Sequence, residues 1–231
     1  MKYKAVIFDC DGTLVDSEPA YYNAFKHAMG QKGYEFTHED HRSFVGIPAA
    51  LCAKMLSKKI DSDHIESIFD AMGKHYKAQQ QAGHTPIHAT VEFLHKLAQE
   101  KESLGIKLGL ASAADKSTIL INLRHLDVEH YFDVILSGSD DLTHYSDPEG
   151  VNKPKPYIYE HSAKLLNIAP HECIVIEDSR TGVTAGVDAG CFAVAVPNSY
   201  TKHHDLSHAH LTIDTFANMT VQDFFNLASA Q

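Results

Sequence analysis

The chain has 231 residues, 44% hydrophobic and 22% charged, with 30 acids against 20 lysines and arginines and a formal net charge of −10. That is enough for one large domain or two modest ones with a real core, and without a basic stripe it argues against nucleic acid or an anionic membrane as partner. No apolar run reaches the ~18 residues of a membrane span, no charged leader and apolar segment open the chain, and Cys10, Cys52, Cys173 and Cys191 lack metal-site spacing, so a cytoplasmic protein with no zinc site or disulfide framework is expected.

Val6, Ile7 and Phe8 form a short apolar run of β-formers that reads as a buried strand and stops at Asp9-Cys10-Asp11-Gly12-Thr13. Two carboxylates at a strand mouth repel each other and are costly to bury without a counter-charge. A divalent cation is the simplest one, and an oxygen-rich site suits Mg²⁺. A solvated turn is the plain alternative for these five residues taken alone.

After Thr13 the texture becomes helical. Asp16, Ser17 and Glu18 can cap and charge a helix start, and Pro19 fits its first turn. Apolar positions at helical spacing (Tyr22, Phe25, Met29, then Leu51, Met55, then Ile65, Ile68, Phe69, Met72), punctuated at Gly33, Gly46 and Pro48, predict about four short helices up to Lys77. The polar stretch from Gln79 to Pro86 reads as a linker. From Ala89 onward strands and helices alternate. Helices are predicted around Val91–Leu97, over Thr118–Leu126, Tyr157–Leu166 and Thr181–Ala189, the last closed by Gly190. Strands are predicted at Lys107–Ala111, Val134–Leu136, Cys173–Ile176, Phe192–Val196 and Leu211–Ile213. This alternation implies an α/β fold with a parallel sheet flanked by helices. The expected division is a Rossmann-like core, 1–15 plus 87–231, and an inserted α-helical cap, 16–86.

In such a sheet ligands bind at the carboxyl ends of the strands. The residues that end the runs there are Asp9 and Asp11, Ser112, and Glu177 with Asp178; Lys153 follows the Val134–Leu136 strand after a polar loop, stiffened by Pro154 and Pro156. Four acids, a hydroxyl and an amine suit phosphoryl transfer: a carboxylate attacks phosphorus, a second acid moves the proton, and cations offset charge on the phosphoryl oxygens. Each also has a plain structural reading, with Ser112 or the Glu177-Asp178 pair capping a helix and Lys153 on the surface.

The stretches Asp9–Glu18, Ala111-Ser112, Lys153-Pro154-x-Pro156 and Ile176-Glu177-Asp178-Ser179-x-x-Gly182 together resemble the four motifs of the haloacid dehalogenase superfamily, within its β-phosphoglucomutase-like subgroup with a helical cap. The resemblance implies Asp9 as nucleophile and Asp11 as general acid/base. It implies Mg²⁺ held by Asp9, the Asp11 backbone carbonyl and Asp178, with Glu177 assisting directly or through water. Ser112 and Lys153 would grip the phosphoryl group, with amides near Asp11 and Ala113 helping. Asp11 argues against the dehalogenase and phosphonatase branches. Tyr21 and Ala49 stand where the sugar phosphomutase carries a histidine and an arginine. The expected activity is therefore hydrolysis of a small phosphorylated metabolite by a monomer, with sugar phosphomutase and a non-catalytic binding protein on the same scaffold as alternatives.

Four features are not absorbed by that reading. Tyr157 replaces an Asp common in relatives, and Ile87-His88 replaces Pro-Gly. The 140–152 loop is longer than usual and is expected to cover the edge of the site. Cys10 is expected to point into the core, with a redox switch as the alternative, and the histidines at 203, 204, 208 and 210 are expected on a solvated surface.

Overall fold

A computed structural model describes residues 2–45, 49–60 and 65–231. In chain order the elements are β1 (Ala5–Phe8), β2 (Val15–Asp16), α1 (Glu18–Gly30), α2 (His38–Arg42), α3 (Ala49–Lys59), α4 (Ile65–Gln80), β3 (Thr85–Pro86), α5 (His88–Leu104), β4 (Lys107–Ser112), α6 (Lys116–His125), β5 (Val134–Ser137), α7 (Tyr157–Leu166), β6 (Cys173–Glu177), α8 (Arg180–Asp188), β7 (Phe192–Ala195), β8 (Leu211–Thr212) and α9 (Val221–Ser229). They form two compact units, Met1–Asp16 with Thr85–Gln231, and Ser17–His84.

The first unit holds a parallel six-stranded sheet in the order β5-β4-β1-β6-β7-β8. β1 lies between β4 and β6 and is covered on both faces, which is why all four of its residues are apolar and buried. Successive side chains alternate faces. Val6 and Phe8 join a core with Phe93, Leu94 and Leu97 of α5 and Phe224 of α9, while Ala5 and Ile7 join one with Ile158, Tyr159 and Leu166 of α7. Each large side chain so buried contributes on the order of 1.5–3 kcal/mol. Gly109 in β4 is one condition of this packing, since a Cβ there would lie 3.2 Å from Ile7 and 3.4 Å from Leu166.

Three elements depart from expectation. Thr85 and Pro86, read as linker, form β3, antiparallel to β2, with Val15 opposite Pro86 and Asp16 opposite Thr85; Gln79 and Gln80 belong to the end of α4. Ser17 occupies the N-cap of α1 but its side chain makes no capping bond. The C-terminal α9 was not expected, although Val221, Phe224, Phe225 and Ala228 form a helical stripe after the N-cap Thr220, and Phe224 packs on Phe93 with ring centroids 5.0 Å apart.

The second unit is helical. Phe25 and Met29 of α1, Phe36, Phe44, Cys52 and Leu56, and Ile68 and Met72 of α4 form its core. Thr37 and Asp40 make a reciprocal capping box at the start of α2. Asp40 also accepts from Tyr34 Oη at 3.2 Å and from Lys59. Gly46 and Pro48 lie outside the described residues, as do the side chains of Ala49, Leu51 and Ile65. Among the described residues no helix is long and apolar enough to cross a membrane.

Candidate active site

The register of the sheet brings distant residues to one edge. Phe8 pairs with Leu110 of β4 and with Ile176 of β6, so Asp9, Ala111-Ser112 and Glu177 all emerge at the carboxyl ends of three adjacent strands. The Asp9 amide donates to Ile176 O at 3.0 Å, fixing the level at which the loop leaves. That loop closes tightly, with Gly12 N donating to Val15 O at 2.7 Å and Leu14 N to Cys10 O at 2.8 Å. Gly12 is needed twice over. Its φ is +83°, and a Cβ would lie 2.4 Å from Asp178 Oδ2. Cys10, between the two acids, is fully buried in the core, and burial pushes its thiol well above the ordinary range.

Lys153 is the centre of the arrangement. Its side chain is only 6% exposed, and Nζ donates to Asp9 Oδ1 at 2.6 Å, Glu177 Oε1 at 2.7 Å and Ala111 O at 2.9 Å, which uses all three of its N–H donors. Burial alone would lower the lysine pKa, but the carboxylates of Asp9 and Glu177 outweigh it and raise it. The lysine is therefore not on the surface. Lys153 approaches from a loop, and Asn152 sets its course: Asn152 Oδ1 accepts from the Lys153 amide at 2.9 Å while Nδ2 donates to Ala113 O at 3.0 Å. Gly138 makes room, because a Cβ there would lie 2.3 Å from Asn152 Oδ1.

Glu177 is 1% exposed. Its Oε1 also accepts from Tyr159 Oη at 2.6 Å, and its Oε2 from Ser179 Oγ at 3.2 Å. Gly182 lies so close that a Cβ would fall 1.9 Å from the carboxylate, which gives the glycine of the fourth motif its reason. Helix caps do not explain these residues. Ser179 caps α8 and Asp115 caps α6, leaving Glu177, Asp178 and Ser112 for other work. Ser112 Oγ accepts from Ala114 N at 3.1 Å and donates to Asp11 Oδ2 at 3.3 Å. Ala113 is exposed on the same loop.

Asp9, Glu177 and Asp178 offer carboxylate oxygens within 4.8 Å of one another; the side chain of Asp11 is not in this group. Three buried carboxylates and one ammonium carry a formal charge of −3 + 1 = −2. Such an excess is costly in a buried site. It is partly relieved at Asp9, where burial, and next the charge of Glu177, push the carboxyl up to about 8 against the pull of Lys153. An oxygen-only donor set in negative excess fits a hard divalent cation.

Two residues of this network carried no signal recognised in the sequence. Tyr159 lies in the first turn of α7, and an i+2 offset from Tyr157 in a helix gives no hint that its hydroxyl reaches β6. Asn198, in the turn after β7, donates Nδ2 to Asp178 Oδ2 at 2.9 Å and to Gly12 O at 3.0 Å. A polar residue just past a strand's carboxyl end was the available clue. The histidines from 203 to 210 serve local contacts, with His210 Nδ1 accepting from Ala193 N and His208 Nε2 bonded to Thr184 Oγ1.

A parallel sheet that gathers acids and a buried lysine at its carboxyl edge defines an α/β core with its candidate site at the strand ends. The sequence model of haloacid dehalogenase-like hydrolases matches residues 6–196, and the chain belongs to that family. It is 31% identical over 191 residues to a phosphorylated carbohydrates phosphatase of Thermotoga maritima, covering 81% of this chain and 82% of the relative. It is 25% identical to the pyrophosphatase PpaX of Bacillus mycoides, covering 85% and 84%. Its fold is that of β-phosphoglucomutase from Clostridium difficile, with a TM-score of 0.77, 24% identity and coverage of 99% and 98%.

Proposed function

We propose that this hydrolase is a Mg²⁺-dependent phosphatase of small phosphorylated metabolites that works through an aspartyl-phosphate. The observation that carries the reading is the buried meeting of Lys153 with Asp9 and Glu177 at three strand ends, at 2.6 and 2.7 Å, beside Asp178. Support also comes from the phosphatases among the relatives.

In this reading Asp9 Oδ attacks phosphorus, forming the acyl phosphate as the leaving oxygen departs. Asp11 gives its proton to that oxygen and then takes one from the water that cleaves the intermediate. Ser112 Oγ turns from Asp11 toward a phosphoryl oxygen, and Lys153 Nζ shifts part of its bonding from Asp9 to another, helped by amides near Asp11 and Ala113. Asp9, the Asp11 carbonyl and Asp178 would hold Mg²⁺, with Glu177 nearby as the counter-charge of Lys153; the ion would supply the positive charge that lets an anionic phosphate approach acids. The chain between residues 16 and 86 is proposed to act as the substrate-selecting cap.

Asp9→Asn tests this directly. It removes the nucleophile while keeping a hydrogen-bonding group, so the protein should remain folded and turnover of p-nitrophenyl phosphate with Mg²⁺ should vanish. An active, folded Asp9→Asn protein would remove Asp9 from the role. A panel of phosphorylated metabolites, including glucose 1-phosphate assayed for isomerisation, then identifies the substrate and separates hydrolysis from phosphomutase activity.

A further inference from the structure

We infer that Asn198 is a positioning residue that sets the divalent-cation affinity of this site by holding Asp178 against the loop that carries Asp9 and Asp11. The inference rests on the proposed Mg²⁺ site but concerns a residue outside all four motifs.

The side-chain amide of Asn198 is fully engaged. Its Oδ1 accepts from the backbone amides of Tyr200 at 2.8 Å and Thr201 at 3.2 Å, and the backbone N–H of Asn198 donates to Thr201 Oγ1 at 3.0 Å, a hydroxyl on a buried residue. Two backbone donors at one end fix which end is the oxygen, so the NH₂ group must face the site. Its two hydrogens go to Gly12 O at 3.0 Å and Asp178 Oδ2 at 2.9 Å. One rigid turn after β7 thus ties the first motif to the fourth. Gly12, whose missing Cβ would overlap Asp178, is what allows the two to approach so closely.

The consequence is chemical. The bond from the amide to Oδ2 fixes how the Asp178 carboxylate is turned at the site. A neutral donor suits this task. A lysine here would add a positive charge beside the ion, and an aspartate would add to a site already in negative excess. Groups that orient ligating carboxylates in this way typically change metal affinity by about 10–100-fold when removed.

The experiment is isothermal titration of Mg²⁺ into the wild type, Asn198→Ala and Asn198→Ser, with thermal unfolding of each protein without Mg²⁺ and activity against p-nitrophenyl phosphate as a function of Mg²⁺. Serine can still accept from the following amides and so preserve the turn, but is too short to reach Asp178. The expected result is Mg²⁺ binding weaker by about 10–100-fold in both variants, with activity recovering at high Mg²⁺ and the metal-free unfolding temperature of Asn198→Ser close to wild type. Wild-type Mg²⁺ affinity in Asn198→Ser, or failure of both variants to fold, reduces Asn198 to a brace and overturns the inference while leaving the proposed function standing. A wild type that binds no Mg²⁺ overturns both.

Discussion

The buried tyrosine at position 159 shows how one hydroxyl can govern a charged centre. Tyr159 Oη donates to the same Glu177 oxygen that receives Lys153 Nζ, and its ring centroid lies 5.0 Å from that ammonium. Burial, followed by the charges of Glu177 and Asp9, pushes the phenol well above its ordinary range, so it remains a donor. Tyr159→Phe keeps the ring and removes the donor. A hydrogen bond to a charged buried group is worth about 1.5–3 kcal/mol, and urea unfolding of Tyr159→Phe should show a loss of that size. No loss would mean that Glu177 finds another donor. Asp9 and Asp178 were legible because a motif names them; Tyr159 and Asn198 were not, since their roles depend on which strand end lies within reach, and that is set by register.

At the scale of elements, the long 140–152 loop is anchored on the α7 side of the core. Leu142 is buried with the α7 side of the core, and the Tyr145 ring lies tilted against that of Tyr157 with centroids 4.9 Å apart. Tyr157, standing where relatives often carry an aspartate, donates its hydroxyl to Asp147 Oδ2 at 3.0 Å and so ties α7 to the loop. The loop ends at Asn152, which aims Lys153. Asn152→Ala should lower kcat/KM by about tenfold, the scale of one or two lost hydrogen bonds, and Asn152→Asp, which keeps the acceptor for the Lys153 amide, should recover part of it; steady-state kinetics of the pair decides. In the helical unit the Asp40 cluster gives a pH signature. Burial works against the Asp40 charge, but Lys59, Thr37 and Tyr34 outweigh it and hold the carboxyl at about 2, below the usual 3.8. A depressed folded pKa stabilises above the unfolded value and is lost as pH falls through the folded one. The difference in unfolding temperature between wild type and Asp40→Asn should therefore be full at pH 6 and shrink between 3.8 and about 2. A difference that stays constant across that window would show that Asp40 contributes through packing.

For the whole molecule, hydrophobic period and strand-end chemistry gave the parallel core and its acid-lined edge, because β1 and the interiors of β4 and β6 are buried and read as short apolar runs that stop at polar residues. The two-residue β2 and β3 were unreadable, since neither is long enough to show alternation and one ends in proline. They matter beyond their size. Paired strands lie about 4.8 Å apart, so the chain leaves the core at Asp16 and returns at Thr85 through adjacent openings in a single clasp. Every residue of the site (Asp9, Asp11, Ser112, Lys153, Glu177, Asp178 and Asn198) lies on the core side of that clasp. The segment of 68 residues from 17 through 84 is thus joined to the core chain by two crossings that lie side by side. An insertion whose two ends lie this close is of the kind a host domain tolerates, so a change of length within residues 17–84 asks for no change of spacing where the chain leaves and re-enters the core.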